Sequence, residues 1–166
     1  MRAEVLVCAW VLGAIACDPP PEHGRSEPTE GSRAAAAAWS DHEDPVTVMP
    51  DPAEDAELRA VIEASRAQLP AIRARFRNGL PPGHRLLVKV KIETPEIAER
   101  VWVAVTAWSE IGWIDGTLAN KPVIQTHQLG QPMRVREGEV IDWMIKRADG
   151  TREGNAVSRL LETRSQ

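Results

Sequence analysis

The chain of 166 residues contains no tyrosine, one phenylalanine and only two cysteines, Cys8 and Cys17. Cys8 falls inside an apolar leader segment, so a chain processed just before Cys17 keeps a single thiol. That excludes a disulfide framework and a thiolate zinc cluster. No long apolar run exists either: the longest, Val5 to Ile15, has 11 residues, too few to span a bilayer as a helix. The G-x-S-x-G elbow, the P-loop, the dinucleotide glycine fingerprint and H-E-x-x-H are all missing. His23, His42, His84 and His127 stand singly in loop or tether contexts, so neither a metal nor a cofactor is expected.

What is present begins with the short apolar run itself. It ends in Ala14-Ile15-Ala16-Cys17 and gives way to Asp18-Pro19-Pro20-Pro21, which matches the apolar core and small-residue cleavage site of a signal peptide. Small residues at 14 and 16 resemble a lipobox. Residues 1–16 are therefore expected to be a lipoprotein signal, with Cys17 carrying the lipid that attaches the chain to a membrane of the bacterial envelope. Residues 17–45 hold seven acidic residues against Arg25 and Arg33, with Pro, Ser, Gly and Ala between them. Such a stretch buries too little apolar surface to offset its ordering entropy and is expected to be a disordered tether. It carries a net charge of −5 of the total −4, leaving the 46–166 domain at +1. A near-neutral domain is a poor nucleic-acid binder.

The remaining length suits one domain. Asp51-Pro52-Ala53-Glu54 predicts a helix start, with Asp51 as cap, Pro52 in the first turn and Glu54 closing a capping box. Leu58, Ile62, Leu69, Ile72 and Phe76 keep a helical period, and Ser65 fills the gap in the stripe. Pro70 predicts a kink or a split there. Strand patterns follow: Val88, Val90 and Ile92 alternate with charged residues, and Val101 to Trp108 is apolar on both faces, as befits a central strand. Trp113 to Leu118 predicts a hairpin with that strand. Val140 to Arg147 puts Ile141, Trp143 and Ile145 on one side. A short helix over Asn155 to Glu162 is expected to lay Val157, Leu160 and Leu161 on the sheet. The layout is α+β: a helix split at Pro70, an antiparallel sheet of about four to five strands, and a short C-terminal helix.

The order of four short motifs resembles a bacterial family, domain of unknown function 2314, which includes YegJ-like proteins. They are Glu99-Arg100-Val101-Trp102-Val103, Gly116-Thr117-Leu118-Ala119-Asn120-Lys121-Pro122, Leu129-Gly130-Gln131 and Ile141-Asp142-Trp143-Met144. The resemblance spans about Asp51 to Leu161. Because the family has no established activity, it implies a fold unit and no reaction.

Asp142, between two apolar neighbours, points away from them, and if buried requires Arg134, Arg136 or backbone N–H groups as partners. It reads first as a structural carboxylate and second as a ligand anchor. Asn120 reads mainly as a turn former. Trp102 and Trp108 are expected to share a strand face, as core or as a stacking platform. Asp115 and Asp142 form a conceivable carboxylate pair for glycoside cleavage. Arg59, Arg66, Arg73 and Arg77 form a basic stripe, read as a solvated face with anionic lipid as the sharper alternative. Together these residues point to a membrane-anchored, non-catalytic module that binds an envelope protein or a cell-wall component near Trp102, Asp115, Asn120 and Asp142. A hydrolase of envelope glycan or peptide and a toxin-neutralising protein are the alternatives.

Overall fold

A computed structural model describes residues 51–165. The expectations for the signal segment, Cys17 and the tether lie outside these residues. Among the described residues no helix is long and apolar enough to cross a membrane.

Asp51 to Glu54 forms a turn rather than the first turn of a helix: Asp51 accepts from the backbone of Ala53 and Glu54. The cap is Asp55, one turn later, whose extended backbone and carboxylate receive the Leu58 N–H at 2.9 Å and open α1, Ala56–Ala67. Both aspartates satisfy the local rule for a cap. Asp55 also meets Arg164 at the far end of the chain, and that second contact favours the later start. Pro70 splits the helical region as expected, with Gln68 between α1 and α2, Leu69–Arg77, and the proline in the first turn of α2, where its missing N–H costs nothing.

Six antiparallel strands follow: β1 Arg85–Glu93, β2 Ala98–Trp108, β3 Trp113–Leu118, β4 Pro132–Arg136, β5 Asp142–Lys146 and β6 Arg152–Gly154. Their order across the sheet is β4-β3-β2-β1-β5-β6. The expected four to five strands thus become six. The two unforeseen strands are the edges, β4 and β6, five and three residues long with at most one buried side chain apiece. The last long strand starts at Asp142 rather than Val140. A helix, α3, Ala156–Arg164, ends the fold.

Alternation along the strands separates two faces. On the inner face Val88, Val90, Val101, Val103, Ile114, Trp143 and Ile145 meet Leu69 and Ile72 of α2 in one buried cluster. A second cluster joins Leu58 and Ile62 of α1 to Val157 and Leu161 of α3, with Ile141 between them. The C-terminal helix therefore presents its apolar residues mainly to α1 and not, as expected, to the sheet. The outer face, opposite α2, carries a third cluster of Leu87, Trp102, Ala119 and Met144. A register shift between Val105 and Ala107 corrects the pairing of two tryptophans. The extra residue turns Trp108 to the inner face, whereas Trp102 faces outward.

Trp143 sits between sheet and edge strand, and a Cβ built on Gly154 would lie 2.4 Å from its carbonyl oxygen and 2.8 Å from its ring, at a φ of +82°. Trp143→Ala is expected to cost about 3–5 kcal/mol in chemical denaturation. Gly154→Ala should cost at least about 2 kcal/mol, since it combines overlap with a conformation that only glycine adopts freely. A Gly154→Ala protein with an unchanged midpoint would show that β6 does not pack on Trp143.

Candidate functional site

The most constrained polar group of the domain is Asp142, at the start of β5. Its side chain is fully buried. One carboxylate oxygen accepts from its neighbour's backbone, Trp143 N–H at 2.9 Å, and from Ser65 Oγ of α1 at 3.2 Å. The other accepts from Val157 N–H at 2.9 Å. Val157 is the second residue of α3, whose local cap, Asn155, is left-handed at φ 58° and makes no capping bond with its side chain. Asp142 thus caps α3 from the sheet, placing an acceptor and a negative charge at a helix N-terminus. Of the partners foreseen for it, the backbone N–H groups are the ones used. Burial pushes the Asp142 carboxyl above the ordinary carboxylate range, against its hydrogen bonds and the nearby charge of Lys89, which pull it down.

Lys89, directly across from Asp142 in the sheet, donates to Ser158 Oγ of α3 at 2.7 Å and lies 4.5 Å from the centre of the Trp102 ring. Trp102 is 5 % exposed, and its backbone N–H donates to Asn120 Oδ1 at 2.7 Å. Asn120 therefore extends the β2–β3 ladder with a side chain. Asp115 is exposed enough to meet water and forms a two-pronged pair with Arg134, its cross-strand neighbour on β4, at 2.6 and 3.1 Å. Arg136 stacks on Trp113 at 4.0 Å.

Trp102, Asn120 and Asp142 fall in one neighbourhood, while Asp115 does not. Three strand intervals, β3 to β2 to β1 to β5, separate Asp115 from Asp142, about 14 Å by strand spacing alone. Carboxylates that cleave a glycoside stand about 5–9.5 Å apart. The arginine stripe is engaged as well. Arg66 Nε donates to the Val140 carbonyl at 2.7 Å, Arg73 to Glu137 at 2.8 Å and Arg77 to Glu110 at 2.9 Å. Arg59 reaches the Pro52 and Ala53 carbonyls. These arginines fasten the helices to loops and carbonyls instead of presenting a row of unengaged charge.

Sequence reasoning passed over Glu99, Glu137 and Arg100. Buried Glu99 accepts from Val123 and Ile124 N–H at 2.8 and 3.1 Å and holds the loop after β3. Glu137 gathers Trp108 Nε1 at 3.0 Å and Arg73. Arg100 is half-buried on the outer face with its Nε enclosed and without a hydrogen-bond partner, and desolvation lowers its pKa against the charge of Asp51. The available signal for Glu99 was its period-two spacing from Val101 and Val103, which puts it on the same strand face as two buried valines. Nothing local marks Glu137 or Arg100. No group of three or more His, Cys, Asp or Glu that could hold a metal occurs among the described residues.

No family model, curated protein or solved structure matches this chain.

Asp142→Asn should cost about 1–3 kcal/mol, because both carboxylate oxygens accept from backbone N–H groups and an amide can replace only one. The pH dependence has a definite sign. A carboxyl whose folded-state pKa is raised contributes most below its unfolded value, 3.8, and loses that contribution as pH rises through the folded value. The cost of Asp142→Asn should therefore be largest below about pH 4 and shrink toward neutrality. Asp55 is the reverse case: the Arg164 guanidinium holds its carboxyl down at about 2. The cost of Asp55→Asn should be complete above about pH 4 and fade as pH falls toward 2. Unfolding midpoints of the two variants from pH 2 to 7 would expose an error of sign in either.

Proposed function

We propose that this protein is a bacterial envelope lipoprotein, held at a membrane through Cys17, whose α+β domain is a non-catalytic binding module of the domain of unknown function 2314 kind. The observation that supports binding is the outer sheet face. It combines the Leu87, Trp102 and Met144 cluster with basic residues at both ends: Lys91 and Arg100 at one, Arg85, Lys146 and Arg152 at the other. A face with basic residues at both ends suits an acidic segment of another envelope protein. The residues with chemistry to offer are meanwhile committed to structure. Asp142 caps a helix, Asn120 closes a ladder, Glu99 holds a loop and Asp115 is paired.

The same fact bears on the family resemblance. Its motif residues Glu99, Asn120, Gly130 and Asp142 each fasten a strand end or a loop, with Gly130 N–H donating to the Leu118 carbonyl at 2.8 Å. Short motifs of this kind record a shared fold rather than a shared reaction. A hydrolase built on Asp115 and Asp142 gains no support from their separation.

Two measurements test the proposal. Cys17→Ser should move the protein from the membrane to the soluble fraction, and an unmodified mature N-terminus elsewhere would overturn the anchor. Lys91→Glu combined with Arg100→Glu should weaken a partner co-purified from membranes at least about tenfold, while Asp115→Asn leaves it bound. A partner indifferent to reversal of the face charges, in a protein that still unfolds cooperatively, would sink the binding-face reading.

A further inference from the structure

The sheet ends on two edges that differ in what they leave open. β6 is three residues long, and the carbonyl that it turns outward at Gly154 accepts from the Arg159 side chain. β4 is longer and less protected. Two bonds bracket its pairing with β3: Glu137 N–H donates to the Gly112 carbonyl at 2.8 Å, and Leu118 N–H to the Gln131 carbonyl at 2.9 Å. In an antiparallel ladder that parity turns the backbone of Met133 and Val135 toward β3 and the backbone of Pro132, Arg134 and Arg136 away from the sheet. Proline has no N–H, and the Arg136 N–H donates to Glu139 Oε2 at 2.8 Å. The open groups are the carbonyls of Pro132, Arg134 and Arg136 and the N–H of Arg134, which have no partner among the described residues.

The side chains beside those groups set the charge of any strand that can pair there. Arg134 and Arg136 lie on the outer face, and β4 has no acidic residue. Arg134 is already held by Asp115. Arg136 instead stacks on Trp113 at 4.0 Å, and among the described residues no carboxylate stands within ion-pair distance of its guanidinium. Stacking fixes the plane of the guanidinium while leaving its N–H groups able to meet a carboxylate. The edge is blunted against its own kind, because pairing with a second copy would set arginines against arginines. It is not blunted against an acidic strand.

We propose that β4 is a docking edge for an extended acidic segment of a partner protein, which adds to the sheet as a further antiparallel strand. The partner residue opposite Arg134 donates to the Arg134 carbonyl and accepts its N–H, and the residues two positions to either side donate to the Pro132 and Arg136 carbonyls. These three share the outer face, so the one opposite Arg136 is an aspartate or glutamate that pairs with the guanidinium. The two between them lie beside Met133 and buried Val135 on the inner side and are apolar. Alternation of acidic and apolar residues is therefore what this edge recognises. The claim goes beyond the outer-face reading and does not rest on it, since Lys91 and Arg100 belong to β1 and β2, at least two strand intervals from β4, about 10 Å or more.

The probe is a capped peptide of about six residues that alternates glutamate with valine, added to the full chain in detergent. Hydrogen exchange read residue by residue should show the Arg134 amide slowed several-fold by the peptide, while the Val135 amide, already bonded to β3, is slow with or without it. Arg136→Glu should weaken the peptide at least about tenfold, and Lys91→Glu with Arg100→Glu should change its affinity less than about twofold. Further controls leave the protein untouched. Methyl groups on the glutamate nitrogens, which face β4, should abolish binding, whereas methyl groups on the valine nitrogens, which face away, should not. Unslowed exchange at Arg134, equal binding to the Arg136→Glu protein, or any other order of the two methylated peptides would each overturn the proposal. So would slowing of Arg134 without peptide as the protein concentration rises, since the occupant would then be a second copy. Loss of the peptide only on Lys91→Glu with Arg100→Glu would move it to the outer face, overturning the edge and leaving that face in place.

Discussion

The architecture depends on one buried carboxylate. Asp142 ties the first strand residue of β5 to Ser65 on α1 and to the N-terminus of α3, joining elements 77 and 15 residues away in sequence. Without it α3 would start on a left-handed Asn155 whose side chain caps nothing. Burying a carboxylate is costly, and desolvation is the largest influence on this one. Three hydrogen bonds and a neighbouring ammonium offset that cost. What results is position: α1 and α3 are held at the same corner, and the Leu58, Ile62, Val157 and Leu161 cluster forms beside it. An apolar residue at 142 would avoid the desolvation and leave the helix without a cap, so hydrophobicity alone cannot supply the function of this side chain.

Fixing that corner determines what the two sheet faces become. With α2 across one face, the strand residues facing it are mostly apolar, apart from Glu99, which holds a loop, and Glu153, which pairs with Arg75 of α2. The opposite face keeps a mixed surface, where Lys89 spans Trp102 and reaches Ser158. Charge follows the same division. The domain as a whole is close to neutral, yet α1 and α2 engage their arginines with backbone carbonyls and acidic loop residues, while the strands place Lys91, Arg100 and Lys146 on the outer side. Net charge is silent about such a partition, because it averages faces that never meet the same partner.

Much of this was legible in the chain, for identifiable reasons. Helical spacing from Leu58 to Phe76, the split at Pro70 and the alternation around Val88 and Trp143 are local patterns, and local patterns survive folding. Ser65 was visible as the one polar residue in an apolar stripe, and Asp142 as a carboxylate among apolar neighbours. That the two face each other could not be read, because their contact depends on the packing of α1 on the start of β5. The edge strands β4 and β6 escaped notice for a related reason: an edge with little burial has no apolar alternation to display. Local rules put the helix cap at Asp51, whereas the cap is Asp55, which Arg164 at the other end of the chain supports. The bulge between Val105 and Ala107 reversed the facing of Trp108, which period-two counting cannot detect.

The residues most suggestive of chemistry proved to be those with the most structural work, which bears on how small domains without an enzyme signature are read. A polar residue kept in an apolar strand is conspicuous whether it serves a ligand or a helix end. Sequence shows the conspicuousness and not the partner. Here Asp142, Asn120 and Glu99 each spend their acceptors on backbone N–H groups that regular secondary structure would leave unsatisfied. A carboxylate so engaged has little capacity left for a substrate. The surface left for recognition is then defined by side chains that look ordinary in the chain: basic residues around an enclosed leucine, methionine and tryptophan, which become one face only when four strands are brought into register.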